Sequence, residues 1–359
     1  MYLNSKKPFD LFKSEASSYY YVDKSLMLDE LWFGKKYICV ARPRRFGKSV
    51  AAAMIASYFS KGVNANALFS KLKISQTSSY SENLNKFNVI YISLNELPFP
   101  CETYSDYISN IRDSLLEELH KAYPDAKSLT ADPIELLAQL NELKGETFVF
   151  VLDEWDYVFE AMFMTDQDKR NYMAFLRELL VGPYASLVYM TGVIPISKHS
   201  SSSELAMFSE FTMESPKFSK HFGFSESEVT DLHTRYLSAT PKGERHVTRK
   251  GLRQWYKGYW TPGNNMIYNP QTVVEALMVN QLGSYWINTG PYNEAFSLVK
   301  SNIAEMRRDL ALLVSHEGVP LDFAQCIAKL PASVYVGFVW LYKNLPLKYA
   351  VHIALSVFF

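Results

Sequence analysis

The chain has 359 residues, 48% of them hydrophobic, which is enough for one large or two modest domains with buried cores. Its 37 Lys and Arg residues balance 37 Asp and Glu residues, and this zero net charge excludes an overall basic surface typical of nucleic-acid-binding domains. The three cysteines are far apart and form no Cys-x-x-Cys pair, which argues against a disulfide framework or a zinc site.

The first 34 residues are interpreted as an N-terminal segment that precedes the main domain. They contain no apolar stretch of signal-peptide length, so we expect a cytoplasmic protein. No apolar run in the chain reaches the ~20 residues that a membrane helix needs, so no membrane partner is expected. Asp23 is a candidate N-cap for a helix that Gly34 would end.

A short apolar run from Tyr37 to Ala41 is followed by a basic turn and then by a stretch, Ser49 to Ser60, without a helix breaker. This order predicts a buried strand, a loop, and a helix that begins at about Lys48. It is the context in which a loop binds phosphate, because loop N–H groups and the helix N-terminus direct positive charge toward one point.

The loop matches the end of the phosphate-binding pattern G-x-x-x-x-G-K-[ST], although Arg42 stands where the first glycine belongs. Lys48 would reach the β- and γ-phosphates of ATP, and the Ser49 hydroxyl would bind Mg²⁺. The predicted nucleotide-binding set, which shares this loop, is Arg42, Arg44, Arg45, Phe46, Gly47, Lys48 and Ser49. The alternative is a Gly-Lys-Ser sequence that only begins a helix.

A second strand-like run, from Thr147 onward, ends in the carboxylates Asp153 and Glu154. In a P-loop ATPase the first acid holds Mg²⁺ through water, and the second polarises the attacking water as a general base. Asp153 is therefore a candidate metal ligand and Glu154 a candidate catalytic base. The alternative is an acidic pair at a solvated strand end.

Strands and helices alternate along the rest of this region. Strands are predicted at residues 88–94 and 186–191, and helices at 104–123 and 132–145. The alternation predicts an α/β fold, a three-layer P-loop NTPase sandwich with a mainly parallel sheet, over residues 35–218. Thr191, at a strand end, is a candidate γ-phosphate sensor or a plain strand-end residue.

Residues 219–300 are predicted to form a small helical, lid-like domain. Ser225 and Glu228 form a capping box, and Asn269 precedes a proline at the first position of another helix. Arg249, Arg253 and Lys257 are spaced one helical turn apart. Such a face could contact nucleic-acid phosphates, although a solvated basic face is the commoner explanation.

Several motifs occur in order along the chain: Tyr21-Val22-Asp23-Lys24-Ser25, Arg42-Pro43-Arg44-Arg45-Phe46-Gly47-Lys48-Ser49, Asp153-Glu154, Thr191-Gly192, Phe222-Gly223-Phe224-Ser225, Trp255-Tyr256-Lys257-Gly258-Tyr259, Tyr268-Asn269-Pro270 and Tyr285-Trp286-Ile287-Asn288-Thr289-Gly290. Together they resemble the bacterial AAA-ATPase-like family over roughly the first 300 residues. The resemblance implies an ATPase that is usually followed by a PD-(D/E)XK nuclease-like domain. Arginine in place of the first glycine is usual there, whereas Trp155 replaces the usual tyrosine.

Residues 301–359 are expected to be a truncated or atypical tail without nuclease activity. After Gly290, no acidic residue is followed two positions later by the lysine that a nuclease site of that class requires.

The sequence predicts Mg²⁺-dependent ATP hydrolysis coupled to conformational change. The alternative is a nucleotide-gated binding or scaffold module with little turnover, associated with nucleic acid. The sequence leaves open whether the chain forms a homo-oligomer.

Overall fold

The computed structural model describes residues 2–96, 101–199, 205–263, 265–283 and 285. These residues belong to two compact units that divide between Thr212 and Met213. The tail at 301–359 lies outside the described residues, as does most of the serine-rich stretch at 197–203.

The first unit contains a mixture of helices and strands that alternate along the chain. Its helices are α1 (Lys7–Ala16), α2 (Met27–Trp32), α3 (Lys48–Phe59), α4 (Asn66–Phe69), α5 (Tyr80–Asn83), α6 (Tyr104–Ala122), α7 (Pro133–Lys144), α8 (Asp166–Leu180) and α9 (Ile196–His199). Its strands are β1 (Tyr37–Ala41), β2 (Asn88–Ser93), β3 (Phe148–Asp153), β4 (Ala185–Gly192) and β5 (Ser209–Phe211).

The strands form one parallel sheet in the order β2-β3-β4-β1-β5. β4 lies between β1 and β3, so the strand before the predicted phosphate loop and the strand before the acidic pair each contact β4. In a parallel sheet all carboxyl ends meet at one edge, where α/β proteins bind their ligands. The sheet thus brings the ends of β1, β3 and β4 together at one edge.

Helices cover both faces of the sheet, which confirms the predicted α/β architecture. Phe148, Phe150 and Leu152 of β3 belong to a core shared with α6, α7 and α8. The alternate residues Val149 and Val151 are equally buried, and α3 packs against β2, β3 and β4. Burial on both faces explains why the strands read as continuous apolar runs rather than as alternating ones.

The first residues of the chain pair with the edge strand β2. Leu3 forms an antiparallel bridge with Ile90, and the Asn4 N–H donates to the Val89 carbonyl at 2.7 Å. The carboxylate of Glu118 in α6 accepts the N–H groups of Tyr2 and Leu3. This segment satisfies backbone groups that an open sheet edge would expose, and it packs within the first unit.

Most predicted element boundaries agree with the structure. α7 begins at Pro133 after the N-cap Asp132, whose side chain accepts two backbone N–H groups, and Gly145 follows it with φ of 68°. The predicted cap at Asp23 is wrong: α2 begins at Met27, and Asp23 instead accepts the N–H groups of Ser25 and Lys73.

The second unit contains α10 (Glu226–Ala239), α11 (Arg249–Tyr256), α12 (Pro270–Val279) and the strands β6 (Lys257–Thr261) and β7 (Asn265–Tyr268). The predicted capping box is present at Ser225, and Asn269 caps α12. The sequence analysis predicts a small helical domain, and besides its helices this unit contains an antiparallel hairpin formed by β6 and β7. The turn of the hairpin includes Gly263, which has a φ of 81°. Residues with a side chain rarely adopt this conformation.

The predicted basic helix face is interrupted, because α11 ends at Tyr256 and Lys257 begins a strand. Arg249 and Lys257 both form ion pairs with Glu226 of α10. The Tyr268 hydroxyl also donates to Glu226 at 3.0 Å. Two cations of the predicted face are therefore used within this unit.

Among the described residues, no helix combines the length and apolarity that crossing a membrane requires.

Candidate functional site

The loop between β1 and α3 turns sharply into the helix at a glycine. Gly47 is the N-cap of α3, with φ of 81° and ψ of 20°, and Lys48 is the first helical residue. Phe46 is 1% exposed and anchors the loop in the core. Glycine adopts this left-handed conformation without strain, so the chain can turn sharply into the helix. The N-terminus of α3 is thereby presented at the carboxyl end of β1.

The Lys48 ammonium lies in a buried site close to acidic groups. The residue is 5% exposed, and its Nζ donates to the Pro43 carbonyl at 3.1 Å. Burial lowers the pKa of Lys48, and the negative charges of Asp156, Glu154 and Asp153 oppose this effect. The Lys48 ammonium therefore lies within electrostatic range of Asp153 at the end of β3 and of the two carboxylates that follow it.

Ser49 and Asp153 meet across the site. The Ser49 side chain lies close to the Asp153 carboxylate, and Asp153 is 2% exposed. Burial raises the pKa of Asp153 to about 6, with a further contribution from the charge of Glu154. Among the described residues, Asp153 Oδ1 has no hydrogen-bond partner. A hydroxyl beside a carboxylate with a free, buried oxygen fits Mg²⁺, which prefers oxygen ligands and keeps several waters.

Glu154 follows β3 in a left-handed backbone conformation. Its φ is 54°, and its carbonyl accepts the Tyr157 N–H at 3.0 Å. A residue with a Cβ in this region costs about 1–3 kcal/mol, and such strain concentrates at functional sites. The Glu154 side chain is half-buried, and it lies near enough to Lys48 for its negative charge to raise the pKa of the lysine. Glu154 is thus brought to the same edge of the sheet as Asp153.

Arg42 is a predicted nucleotide-binding residue, and Thr191 is predicted as a γ-phosphate sensor or a plain strand-end residue. The described contacts of both side chains connect strands. Arg42 is 1% exposed, and its Nη1 donates to the carbonyls of Ala41 at 2.9 Å and Phe211 at 2.6 Å. Thr191 is fully buried, and its hydroxyl donates to the Val40 carbonyl at 3.2 Å. Arg42 therefore links β1 to β5, and Thr191 links β4 to β1.

Arg44 and Arg45 lie at the surface of the loop. The Arg44 side chain is 43% exposed and approaches Glu160 at 3.5 Å. Arg45 is half-buried and has a φ of 68°. An exposed ion pair of this length contributes little stability, so Arg44 can leave Glu160 at small cost.

Asp156 is a residue of this site that the sequence analysis did not select. It is 6% exposed, and its Oδ2 accepts the N–H groups of Val193 at 2.8 Å and Ile194 at 2.6 Å. Burial raises the pKa of Asp156, while these backbone hydrogen bonds oppose the shift. Its position three residues after Asp153, within an Asp-Glu-Trp-Asp sequence, was the only local signal.

Gly192, at the end of β4, lies against this turn. A Cβ built on Gly192 would come within 2.6 Å of both Asp156 Oδ1 and Trp155 Nε1. We expect Gly192→Ala to destabilise the protein by about 1–3 kcal/mol, because buried neighbours would have to move. Thermal unfolding measures this effect. Gly243→Ala is the matched control, since nothing lies within 4 Å of its Cβ, and an equal loss in both variants would contradict the packing argument.

The chain is similar to several known proteins. Residues 9–202 match the sequence model of a family described as predicted AAA-ATPase, the AAA-ATPase-like family. An uncharacterized protein encoded in the vnfD 5′ region of Azotobacter chroococcum mcd 1 is 25% identical over 291 residues, which cover 77% of this chain. The chain spans about half of that relative, 52% of its length.

Among solved structures, the chain is similar to a Walker-type ATPase of Pyrococcus abyssi, with 16% identity and a TM-score of 0.40 over 80% of this chain and 75% of the other. The ORC2 protein of Aeropyrum pernix in its ADP form has 12% identity and a TM-score of 0.25, over 64% and 53% of the two chains.

Proposed function

This chain belongs to the AAA-ATPase-like family of predicted AAA-ATPases, and from that premise we propose that it binds ATP with Mg²⁺ and hydrolyses it. The observation that carries the proposal is the buried carboxylate of Asp153, with one oxygen lacking a hydrogen-bond partner among the described residues, close to Ser49 and to the buried Lys48. Glu154 lies near enough to the Lys48 ammonium to raise its pKa. A hydroxyl, a carboxylate, a cation and a second carboxylate are the parts that phosphoryl transfer to water requires.

The roles follow from position. The N-terminus of α3 and Lys48 would hold the phosphates, because backbone N–H groups and a buried ammonium both attract negative charge. Ser49 and Asp153 would hold Mg²⁺, which neutralises charge on the phosphate oxygens when bound. Glu154 would orient a water and accept its proton as the water oxygen bonds to the γ-phosphorus and the bond from that phosphorus to the leaving ADP oxygen breaks. Arg44, at the loop surface, would add a second cation near the phosphates.

Asp153→Asn tests the metal part of this proposal. The amide keeps the shape of the side chain but loses the charge that binds Mg²⁺, so we expect at least a roughly tenfold rise in the Mg²⁺ concentration for half-maximal turnover. The measurement is a Mg²⁺ titration of steady-state ATP hydrolysis. An exposed acid, Asp125→Asn, is the control, and an unchanged Mg²⁺ requirement in Asp153→Asn would remove this residue from the metal site.

Coupling and partners are also part of the proposal. ATP turnover would change the conformation of the chain, with the second unit acting as the lid-like part, and protease sensitivity with and without ATP tests this.

Turnover measured with and without DNA or RNA separates an ATPase from a nucleotide-gated scaffold, which would bind ATP but release almost no phosphate. Light scattering with and without ATP tests for a homo-oligomer.

A further inference from the structure

The carboxylate of Asp156 connects the turn after β3 to the backbone after β4. Its Oδ2 accepts the N–H groups of Val193 at 2.8 Å and Ile194 at 2.6 Å. A charged acceptor makes stronger hydrogen bonds than a neutral one, and here the side chain is 6% exposed, so water does not compete freely. The ends of these two neighbouring strands are therefore held together by one side chain.

The residues around Asp156 leave the turn little freedom. The Trp155 N–H donates to the Thr191 carbonyl at 3.0 Å, and the Trp155 carbonyl accepts the Tyr172 hydroxyl at 2.8 Å. The Tyr157 N–H returns to the Glu154 carbonyl at 3.0 Å. Each of the three residues that follow Glu154 is thus bonded, and the strained backbone of Glu154 lies between these bonds and the end of β3.

We propose that Asp156 is a positioning residue for ATP hydrolysis, which holds Glu154 in its left-handed conformation and fixes the backbone at Val193 and Ile194. This inference rests on the proposed function. Asp156 itself need not contact the nucleotide. A strained conformation persists only where its surroundings over-determine it, and the Asp156 hydrogen bonds supply that constraint from the neighbouring strand.

Two substitutions separate hydrogen bonding from charge. Asp156→Ala removes the acceptor, and we expect kcat to fall about 10- to 100-fold with KM for ATP within about threefold of the parent, as for a misplaced catalytic group. Asp156→Asn keeps a carbonyl oxygen that can accept the same N–H groups, so we expect it to retain at least about threefold more turnover than Asp156→Ala. The exposed Asp166→Asn is the control and should match the parent.

A double-mutant cycle tests whether Asp156 acts through Glu154. If it does, Asp156→Ala should lower the residual rate by less than about threefold once Glu154 is already Gln, because the positioned group is gone. Thermal unfolding of each variant establishes that it is folded. A purely structural role would lower the melting temperature and raise KM without this dependence on Glu154.

Each outcome has a separate meaning. Equal losses from Asp156→Ala in both backgrounds, or equal rates for Asp156→Asn and Asp156→Ala, would overturn the positioning role while leaving ATP hydrolysis intact. Parent-like kcat in a folded Asp156→Ala variant would do the same. If the parent itself releases no phosphate from Mg-ATP, the proposed function fails, and this inference fails with it.

Discussion

Lys48→Ala is expected to weaken Mg-ATP binding roughly 10- to 150-fold. One charge-assisted contact to phosphate is worth about 1.5–3 kcal/mol, and each ~1.4 kcal/mol corresponds to a factor of ten in affinity. The structure gives a reason to expect the upper part of this range, because Lys48 is 5% exposed and water screens its charge poorly. Isothermal calorimetry with a non-hydrolysable ATP analogue and Mg²⁺ measures the change.

The control for this experiment is Lys71→Ala. Lys71 is an exposed lysine of the same unit, outside the loop, and its loss should leave affinity unchanged. Circular dichroism must show that Lys48→Ala is folded. Equal nucleotide affinity for Lys48→Ala and the parent would contradict the assignment of this loop as the phosphate site.

Glu154→Gln is expected to slow ATP hydrolysis by roughly 10²–10⁴-fold while ATP remains bound, which is the range seen when a general base is lost. Glutamine has the same length and the same backbone preferences as glutamate, so the turn at φ of 54° should survive the change. The measurements are single-turnover phosphate release and equilibrium nucleotide binding. A parent-like rate would mean that the base lies elsewhere or that a contaminating ATPase was measured.

A second substitution at the same position separates function from strain. Glu154→Gly should also abolish turnover, yet it should raise the free energy of unfolding by about 0.5–1 kcal/mol, because relief of the Cβ clash outweighs the conformational entropy that glycine adds to the unfolded chain. Loss of activity with gain of stability is expected where a strained residue serves catalysis. Loss of both would show that the Glu154 side chain stabilises the turn.

Much of the fold could be predicted because its signals are local. The strand, loop and helix from Tyr37 to Phe59 follow from an apolar run, a glycine and a helix-forming stretch. The caps at Asp132 and Ser225 depend on side chains that bond N–H groups two or three residues away. The three-residue strand β5 escaped prediction, because it is too short to show a pattern and is defined by pairing with β1.

Within the candidate site, the sequence alone determined which chemical groups are present: Lys48 and Ser49 in one motif and Asp153 and Glu154 in another. Adjacent residues in a motif share one short backbone segment, so their proximity needs no knowledge of the fold. Their roles in ATP hydrolysis stay predictions that the variants above test.

Only the tertiary structure decided what Arg42, Thr191 and Asp156 contact. The Arg42 guanidinium donates a hydrogen bond to a carbonyl 169 positions away in the chain. The Thr191 hydroxyl donates to a carbonyl 151 positions away. The Asp156 carboxylate accepts hydrogen bonds from two N–H groups, 37 and 38 positions away. Each of these contacts depends on the order of strands in the sheet, which places β5 beside β1 and β4 between β1 and β3. A buried polar group forms hydrogen bonds with the groups that the folded sheet places next to it. The spacing of residues in the sequence does not predict which groups these are.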